Sequence, residues 1–350
     1  MAQHEPLSSC QVTPYETSGG ARIFRIPIQQ FPILWGNVYL VLYEQPGGES
    51  YRVLIDTGSG FGDSNNHLEC GLQAVSELTG EKIFLSNLTH VLITHGHIDH
   101  FGGLAYIRPR TNAQIGVHEL DLRNLTNYEE RVTVIARRLN EFLGEAGVDN
   151  GLQSDLVEMY KVNKSLYRSV KIDFTYEATG MNLGPFEMLH VPGHCAGHVV
   201  IRLHDVLFSG DHILHDTSPH QSPEHLTLFT GLAHYLQSLE AVQHWATGVR
   251  LTFGGHENPV TDLISRVAEI RDVHRKRISS VLELLETPHT IIEVSRNLFG
   301  EVHGYNILLA LEESGAHIEY LYQRGLLEIH NLSLLESTDG CIPLLYHRLS

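Results

Sequence analysis

Cysteine is scarce in this chain. Its four cysteines, Cys10, Cys70, Cys195 and Cys341, lie far apart in 350 residues with no CxxC pair. That excludes a thiolate zinc site and a dense disulfide framework, and all four are expected as free thiols. Long hydrophobic runs are also missing: no stretch approaches the roughly 18 uninterrupted apolar residues of a membrane-spanning helix. The N-terminal region has no basic segment followed by an apolar core, so no membrane partner is expected and the chain reads as cytoplasmic. Leu7-Ser8-Ser9-Cys10 has the outline of a lipoprotein cleavage box, but no hydrophobic segment precedes it. Positive charge is in short supply, with 24 Lys and Arg against 41 Asp and Glu and a net charge of -17. Such a surface repels phosphate backbones, which argues against nucleic acid as the main partner.

What remains is the composition of an ordinary globular protein, 42% hydrophobic and 19% charged with a mean hydropathy of -0.10, and length for two or three domains. Residues 1–20 are polar and are expected to form a loosely held terminus. Strand-like alternation follows over Ile23–Ile28, Asn37–Tyr43 and Tyr51–Asp56, with a turn at Gln45–Gly48. After a helical stretch around Leu72–Leu78, Leu88–Thr94 reads as a buried strand. Mixed β and α signals predict an α/β layered domain over residues 21–260. Within it, residues 118–170 change to helical spacing, with Val132, Ile135, Leu139, Phe142 and Leu143 on one stripe and Leu152, Leu156, Val157 and Tyr160 on another. This helical insert reads as a packing layer, a lid or a homodimer contact. Residues 261–350 read as a long helix over Asp262–Leu285, a short one over Ile291–Phe299, a third from Tyr305 broken near Gly315, then a hairpin of Leu326–Ile329 with Ile342–Tyr346. That is the outline of a winged helix. Its acids outnumber its Lys and Arg, which favours a packing or dimerisation role over a nucleic-acid reader.

Histidine is unusually frequent: 24 of them, as many as Lys and Arg together. Their spacing is informative. Thr94-His95-Gly96-His97-Ile98-Asp99-His100-Phe101-Gly102-Gly103 leaves the end of a predicted buried strand with four ligand-type side chains in six residues, which suits two adjacent metals. The paired glycines would let the backbone turn tightly afterwards. Single residues at other predicted strand ends complete the set: His194 in Pro192-Gly193-His194-Cys195-Ala196-Gly197-His198, Asp211 in Ser209-Gly210-Asp211, and His256 in Gly254-Gly255-His256. One edge of the sheets can present them all.

These segments resemble the metallo-β-lactamase superfamily, in motif and in order, over about residues 20–260. The resemblance implies an αββα sandwich with the helical insert and a C-terminal winged-helix-like appendage of the kind some members carry. It also implies that His95, His97 and His194 hold one metal, that Asp99, His100 and His256 hold the second, and that Asp211 bridges them. Nitrogen and oxygen ligands without thiolate suit two zinc ions per chain, and leave Mn or Fe open. Asp56 is expected to brace the ligands from behind. His198 is read as a supporting or purely structural residue, and His212 and His215 as candidates to line the pocket. Cys195 stands where many members have Thr.

The implied activity is hydrolysis of a carbonyl in a small-molecule ester, lactone or thioester by hydroxide held between the metals, with Asp99 passing a proton to the leaving group. An uncharged or hydrophobic acyl group is expected, with Phe31, Trp35, Phe101, Tyr106 and Phe229 as candidate pocket residues. The alternative is a phosphodiesterase or endoribonuclease of the winged-helix type, which the acidic charge disfavours. A non-catalytic scaffold is opposed by the complete ligand set.

Overall fold

Arg22–Phe31 and Leu34–Glu44 are strands buried along most of their length because one strand face meets a second sheet and the other meets helices. The computed structural model describes residues 11–349. In chain order the elements begin β1 Thr13–Glu16, β2 Arg22–Phe31, β3 Leu34–Glu44, β4 Ser50–Ile55, α1 Ser64–Thr79 and β5 His90–Leu92. Short helices α2 Ile98–Phe101 and α3 Leu104–Ile107 precede β6 Gln114–Val117. Helices α4 Glu119–Thr126, α5 Tyr128–Glu145 and α6 Asn150–Lys164 lead to β7 Phe174–Thr175. Then come β8 Asn182–Leu183, β9 Phe186–His190, β10 Val199–Leu203, β11 Val206–Gly210, α7 Leu232–Trp245 and β12 Leu251–Gly254. The chain closes with α8 Leu263–Leu284, α9 Ile291–Phe299, α10 Asn306–Tyr322, β13 Leu327–Ile329, α11 Leu332–Ser337 and β14 Tyr346–Arg348.

Among the described residues β1 to β7 pair in sequence order, antiparallel as far as β4 and parallel beyond it. The second sheet has the order β12-β11-β10-β9-β8. Ile23, Tyr39, Val41, Val53 and Ile55 point from the first sheet into a core shared with Phe186, Val199, Ile201, Phe208 and Phe253 of the second. The opposite face of the first sheet, through Ile26, Ile28, Leu40 and Leu54, packs on Leu68, Leu72 and Leu104 of the helices. The second sheet is covered by α7 and α8. Two sheets between two helical layers result, and strands β4, β5, β9, β11 and β12 all end toward one edge. Each large side chain buried in these layers stabilises the fold by about 1.5–3 kcal/mol.

Several expectations need correction. Thr13–Glu16 is not loose, because it pairs with Arg22–Arg25, and the following turn is tied to the second sheet by Thr17 Oγ1 to His204 Nδ1 at 2.8 Å and Ser18 N donating to Asp205 Oδ1 at 2.7 Å. Residues 1–10, including Cys10 and its cleavage-box outline, lie outside the described residues. Cys70 on α1 is disulfide-bonded rather than free, whereas Cys195 and Cys341 are free. Helix α10 runs unbroken through Gly315, where a Cβ would stand 2.9 Å from Pro223 and 3.0 Å from Phe142. The glycine serves close packing against α5 rather than a break. The last strand begins at Tyr346, not Ile342, and pairs Leu327 with Arg348; Pro343 has no N–H to donate to a ladder, and α11 fills the intervening chain.

The insert helices pack on the C-terminal helices. Leu139, Phe142, Leu143, Leu156 and Val157 share a core with Val281, Ile291, Val294, Leu308, Leu311 and Ile318. No helix among the described residues is long and apolar enough to cross a membrane.

Candidate metal centre

The chain after β5 turns into α2, and a second loop, residues 57–59, presses against it. Cβ atoms on Gly102 and Gly103 would lie 2.3 Å from the Ser59 carbonyl oxygen and 2.4 Å from that of Thr57. Both glycines have ordinary helical φ values, -58° and -66°. Close backbone approach, not a tight turn, is therefore their purpose, a correction to the sequence expectation. The contact is completed by Thr57 N and Oγ1, which donate to the His100 carbonyl at 2.7 and 2.8 Å.

On this frame the seven strand-end side chains converge. Ligand atoms of His95, His97 and His194 lie within 4.8 Å of one another, as do those of Asp99, His100, Asp211 and His256. In the first group His95 Nε2 faces His97 Nδ1 at 3.1 Å. In the second, Asp99 Oδ2 is 3.3 Å from His256 Nε2, and Asp211 Oδ2 is 3.4 Å from both His100 Nε2 and His256 Nε2. Asp211 Oδ2 is also 3.9 Å from His194 Nε2 of the first group, so it stands between the two.

The outer ring nitrogens fix the inner ones. His100 Nδ1 donates to Asp56 Oδ2 at 2.8 Å, His194 Nδ1 to the His220 carbonyl at 2.7 Å, and His256 Nδ1 to the Trp35 carbonyl at 2.7 Å. With Nδ1 protonated by such acceptors, each Nε2 offers its lone pair to the centre. Asp56 adopts φ 61°, in the left-handed region, and its carboxylate also accepts from Thr94 N and Oγ1, each at 2.8 Å. Asp56 therefore joins the ends of β4 and β5 behind the ligands.

Charge and desolvation mark the centre as built for cations. His100 Nε2, His194 Nε2 and Asp211 Oδ1 are buried with no hydrogen-bond partner among the described residues, a costly arrangement unless something binds them. Burial lowers the pKa of His95, His97 and His194 and keeps those imidazoles neutral. Burial also opposes charge on His100 and His256, but Asp211 with Asp56 and Asp99 outweighs it and holds both well above the usual imidazole range. Reciprocally, His100 and His256 overcome the burial of Asp99 and Asp211 and hold those carboxyls well below the carboxylate range. The residues present fit a pair of divalent cations: three neutral nitrogens on one side, and two nitrogens with two carboxylates on the other.

The supporting histidines divide. His198 is fully buried, stacks on His95 with ring centroids 4.5 Å apart, and accepts from Asp211 N through Nε2 at 3.1 Å. His212 is also fully buried, edge-on to Tyr235, and does not line the cavity described below. His215 is a further correction, because it is exposed and paired with Asp216 at 2.7 Å rather than facing the site.

One important residue escaped sequence reasoning. Asp121 on α4 is fully buried and accepts from Gly96 N at 2.7 Å and from Cys195 Sγ at 3.3 Å. It ties the loop of His95 and His97 to the loop of His194. Cys195 thus supplies a donor to the buried carboxylate. Burial, then Asp121 itself, raises the Cys195 pKa and keeps the thiol protonated. Asp121 lies in the insert on α4, four residues past β6, and its spacing carried no signal.

Beside His97 and His194 lies a cavity of about 170 Å³, walled by Tyr128, Arg131, Val132 and Ile135 of α5, Tyr160 and Lys164 of α6, Tyr305 just before α10 and Glu312 on it. This corrects the aromatic pocket expected from sequence. Phe101 is core, Tyr106 packs against the same core, Phe31 contacts Phe61, Trp35 stacks on His67, and Phe229 is exposed. None of the five lines the cavity. Val132, Ile135 and Tyr160, read from helical spacing as parts of the insert's apolar stripes, face it instead.

The family model of the metallo-β-lactamase superfamily matches residues 34–256, from β3 to the last histidine of the centre. The chain belongs to the metallo-β-lactamase superfamily. It is 26% identical over 282 residues to the probable metallo-hydrolase YqjP of Bacillus subtilis, covering 77% of this chain and 83% of that one. Among solved structures it resembles the metallo-β-lactamase family protein TTHA1429 of Thermus thermophilus, with a TM-score of 0.70 and 24% identity over 93% of this chain and 98% of that one. A β-lactamase domain protein of Burkholderia ambifaria has the same TM-score at 20% identity, over 99% and 97% of the two chains. Both structures match nearly end to end, so the shared fold extends beyond the segment that holds the centre.

Proposed function

We propose that the protein is a hydrolase of small-molecule carbonyl esters, thioesters or lactones that uses two divalent cations, with zinc best suited to the donor set. His95, His97 and His194 would hold one cation, Asp99, His100 and His256 the other, with Asp211 shared. The observation that carries this reading is the position of Asp211 Oδ2 between the two groups, 3.4 Å from His100 and His256 and 3.9 Å from His194. When bound, such a pair polarises a carbonyl and makes water nucleophilic near neutral pH.

The chain's own residues do the rest. Asp56 and the carbonyls of His220 and Trp35 orient the ligand imidazoles. Asp99, partly exposed at the edge of its group and held as a carboxylate, would take up the proton released by the attacking water and pass it to the leaving oxygen or sulfur. The walls contributed by α5 and α6 orient the acyl group and displace water from it. The description of the Bacillus relative as a probable metallo-hydrolase supports hydrolysis as the reaction class. Phosphodiester cleavage is a second reading, favoured by Arg131 and Lys164 in the cavity wall. A cavity of about 170 Å³ suits a group little larger than benzene, and the charge of -17 disfavours a polyanionic strand. Both features favour the small-molecule ester.

The test is turnover of chromogenic esters, thioesters and lactones beside single-stranded RNA and a phosphodiester. Cleavage of a carbonyl substrate that a chelator abolishes and zinc restores is expected. Cleavage of RNA or the phosphodiester alone would reverse the order of the two readings.

A further inference from the structure

The cavity beside His97 is rich in donors and poor in acceptors. The Lys164 ammonium, 5.9 Å from the centroid of the Tyr160 ring, has no hydrogen bond or ion pair among the described residues, although the chain carries a large excess of carboxylates. Arg131 has no carboxylate partner either. Its Nε donates to Asn124 Oδ1 at 2.7 Å and its Nη2 to Thr227 Oγ1 at 2.9 Å. These neutral contacts aim the guanidinium without cancelling its charge. The Tyr128 hydroxyl is buried and has no partner, and the hydroxyls of Tyr160 and Tyr305 likewise make no hydrogen bond among the described residues. Glu312 is the single acid in the wall, and His220 Nε2 already engages it at 3.0 Å. Lys164 is near enough to the centre to feel the fields of Asp99 and Glu312, which oppose the lowering of its pKa by burial.

Two unpaired cations and three unused hydroxyls in one wall call for a ligand that brings negative charge and acceptor oxygens. We propose that this cavity binds an anionic end of the substrate, a carboxylate or phosphate a short chain away from the scissile carbonyl, with Lys164 and Arg131 as its charged partners. Tyr128, Tyr160 and Tyr305 supply the neutral donors. This assignment rests on the hydrolase reading and replaces the uncharged acyl group expected from sequence. It also gives the insert a role in specificity, since Tyr128, Arg131, Tyr160 and Lys164 all come from α5 and α6.

The test is calorimetric binding of three amides to the metal-loaded protein: hexanoic anilide, the monoanilide of adipic acid, and the phosphate ester of 6-hydroxyhexanoic anilide. The amides stand in for esters and resist cleavage. The wild type is expected to bind an anionic anilide at least about tenfold more tightly than the neutral one, since charge-assisted hydrogen bonds contribute about 1.5–3 kcal/mol. Lys164→Met should erase most of that preference and leave the neutral anilide unchanged, Lys164→Arg should restore part of it, and Tyr128→Phe should weaken it less. Whichever anion binds more tightly identifies the head group. Equal affinity for neutral and anionic anilides, or an undiminished preference in a Lys164→Met protein of unchanged Tm, overturns the proposal. A Lys164-dependent preference in a protein that cleaves no ester would sink the hydrolase reading and leave the anion site standing.

Discussion

The Asp56 carboxylate and the His100 imidazole meet at 2.8 Å, both buried, and through that contact the end of β4 sets the direction in which His100 faces the centre. Asp56→Asn isolates the charge, because asparagine tolerates the left-handed conformation found there. The amide cannot accept at both oxygens from Thr94 and His100. A loss of about 10–100-fold in metal affinity is expected, read by equilibrium dialysis against zinc, with little change in fold. Undiminished affinity would mean that His100 needs no such support.

Cys195 is predicted to matter as a donor and not as a nucleophile. Cys195→Ser keeps a donor for Asp121 and should retain metal content and activity. Cys195→Val leaves that buried carboxylate with one partner fewer, and destabilisation of about 1–3 kcal/mol is expected, measured by urea unfolding. Equal stability of the two variants would refute the role given to the thiol.

Glu313 of α10 reaches the centre through the chain at residues 220–221. It accepts from Gln221 N at 2.8 Å and from Arg277 Nη1 at 2.7 Å, and the adjacent His220 carbonyl holds His194. Glu313→Ala strands the Arg277 guanidinium and frees this segment. A stability loss of about 3 kcal/mol is expected, together with weaker zinc binding in the same preparation. A stability loss with unaltered zinc affinity would show that α10 supports the fold without reaching His194.

His274, buried against Tyr235 and bonded to Ser218 at 3.0 Å, has its pKa lowered to about 4, first by burial. The unfolded chain binds a proton there below about pH 6.5 and the folded chain does not. The neutral residue's contribution is therefore complete above pH 6.5 and is lost as pH falls toward 4. Relative to His274→Gln, the wild type should lose about 2 kcal/mol between pH 8 and pH 5. Parallel urea midpoints for the two proteins across that range would contradict the assignment.

The legibility of this protein follows from where its chemistry sits on the chain. His95, His97, Asp99 and His100 occupy six consecutive residues, and His194, Asp211 and His256 each follow a strand, so their patterns are local and survive in the sequence. The strands themselves were legible from alternation, as in β2 and β3. Asp121, Lys164, Arg131, Tyr128 and Tyr160 were not, because they lie on amphipathic helices where a residue facing a cavity has the same spacing as one facing a core, and neither was Tyr305, which stands just before α10. Val132 and Leu139 share one stripe, yet Val132 lines the cavity and Leu139 is buried among the C-terminal helices.

The sequence by itself determined the layered α/β fold and the seven side chains of the centre, because period-two patterning and strand-end loops are short-range features. Tertiary structure alone decided which wall faces those seven, how Asp121 and His220 hold their loops, and that the cavity is lined with cations rather than phenylalanines. Such relations join residues tens to more than a hundred positions apart, and only the packing of α5, α6 and α10 against one another brings them together.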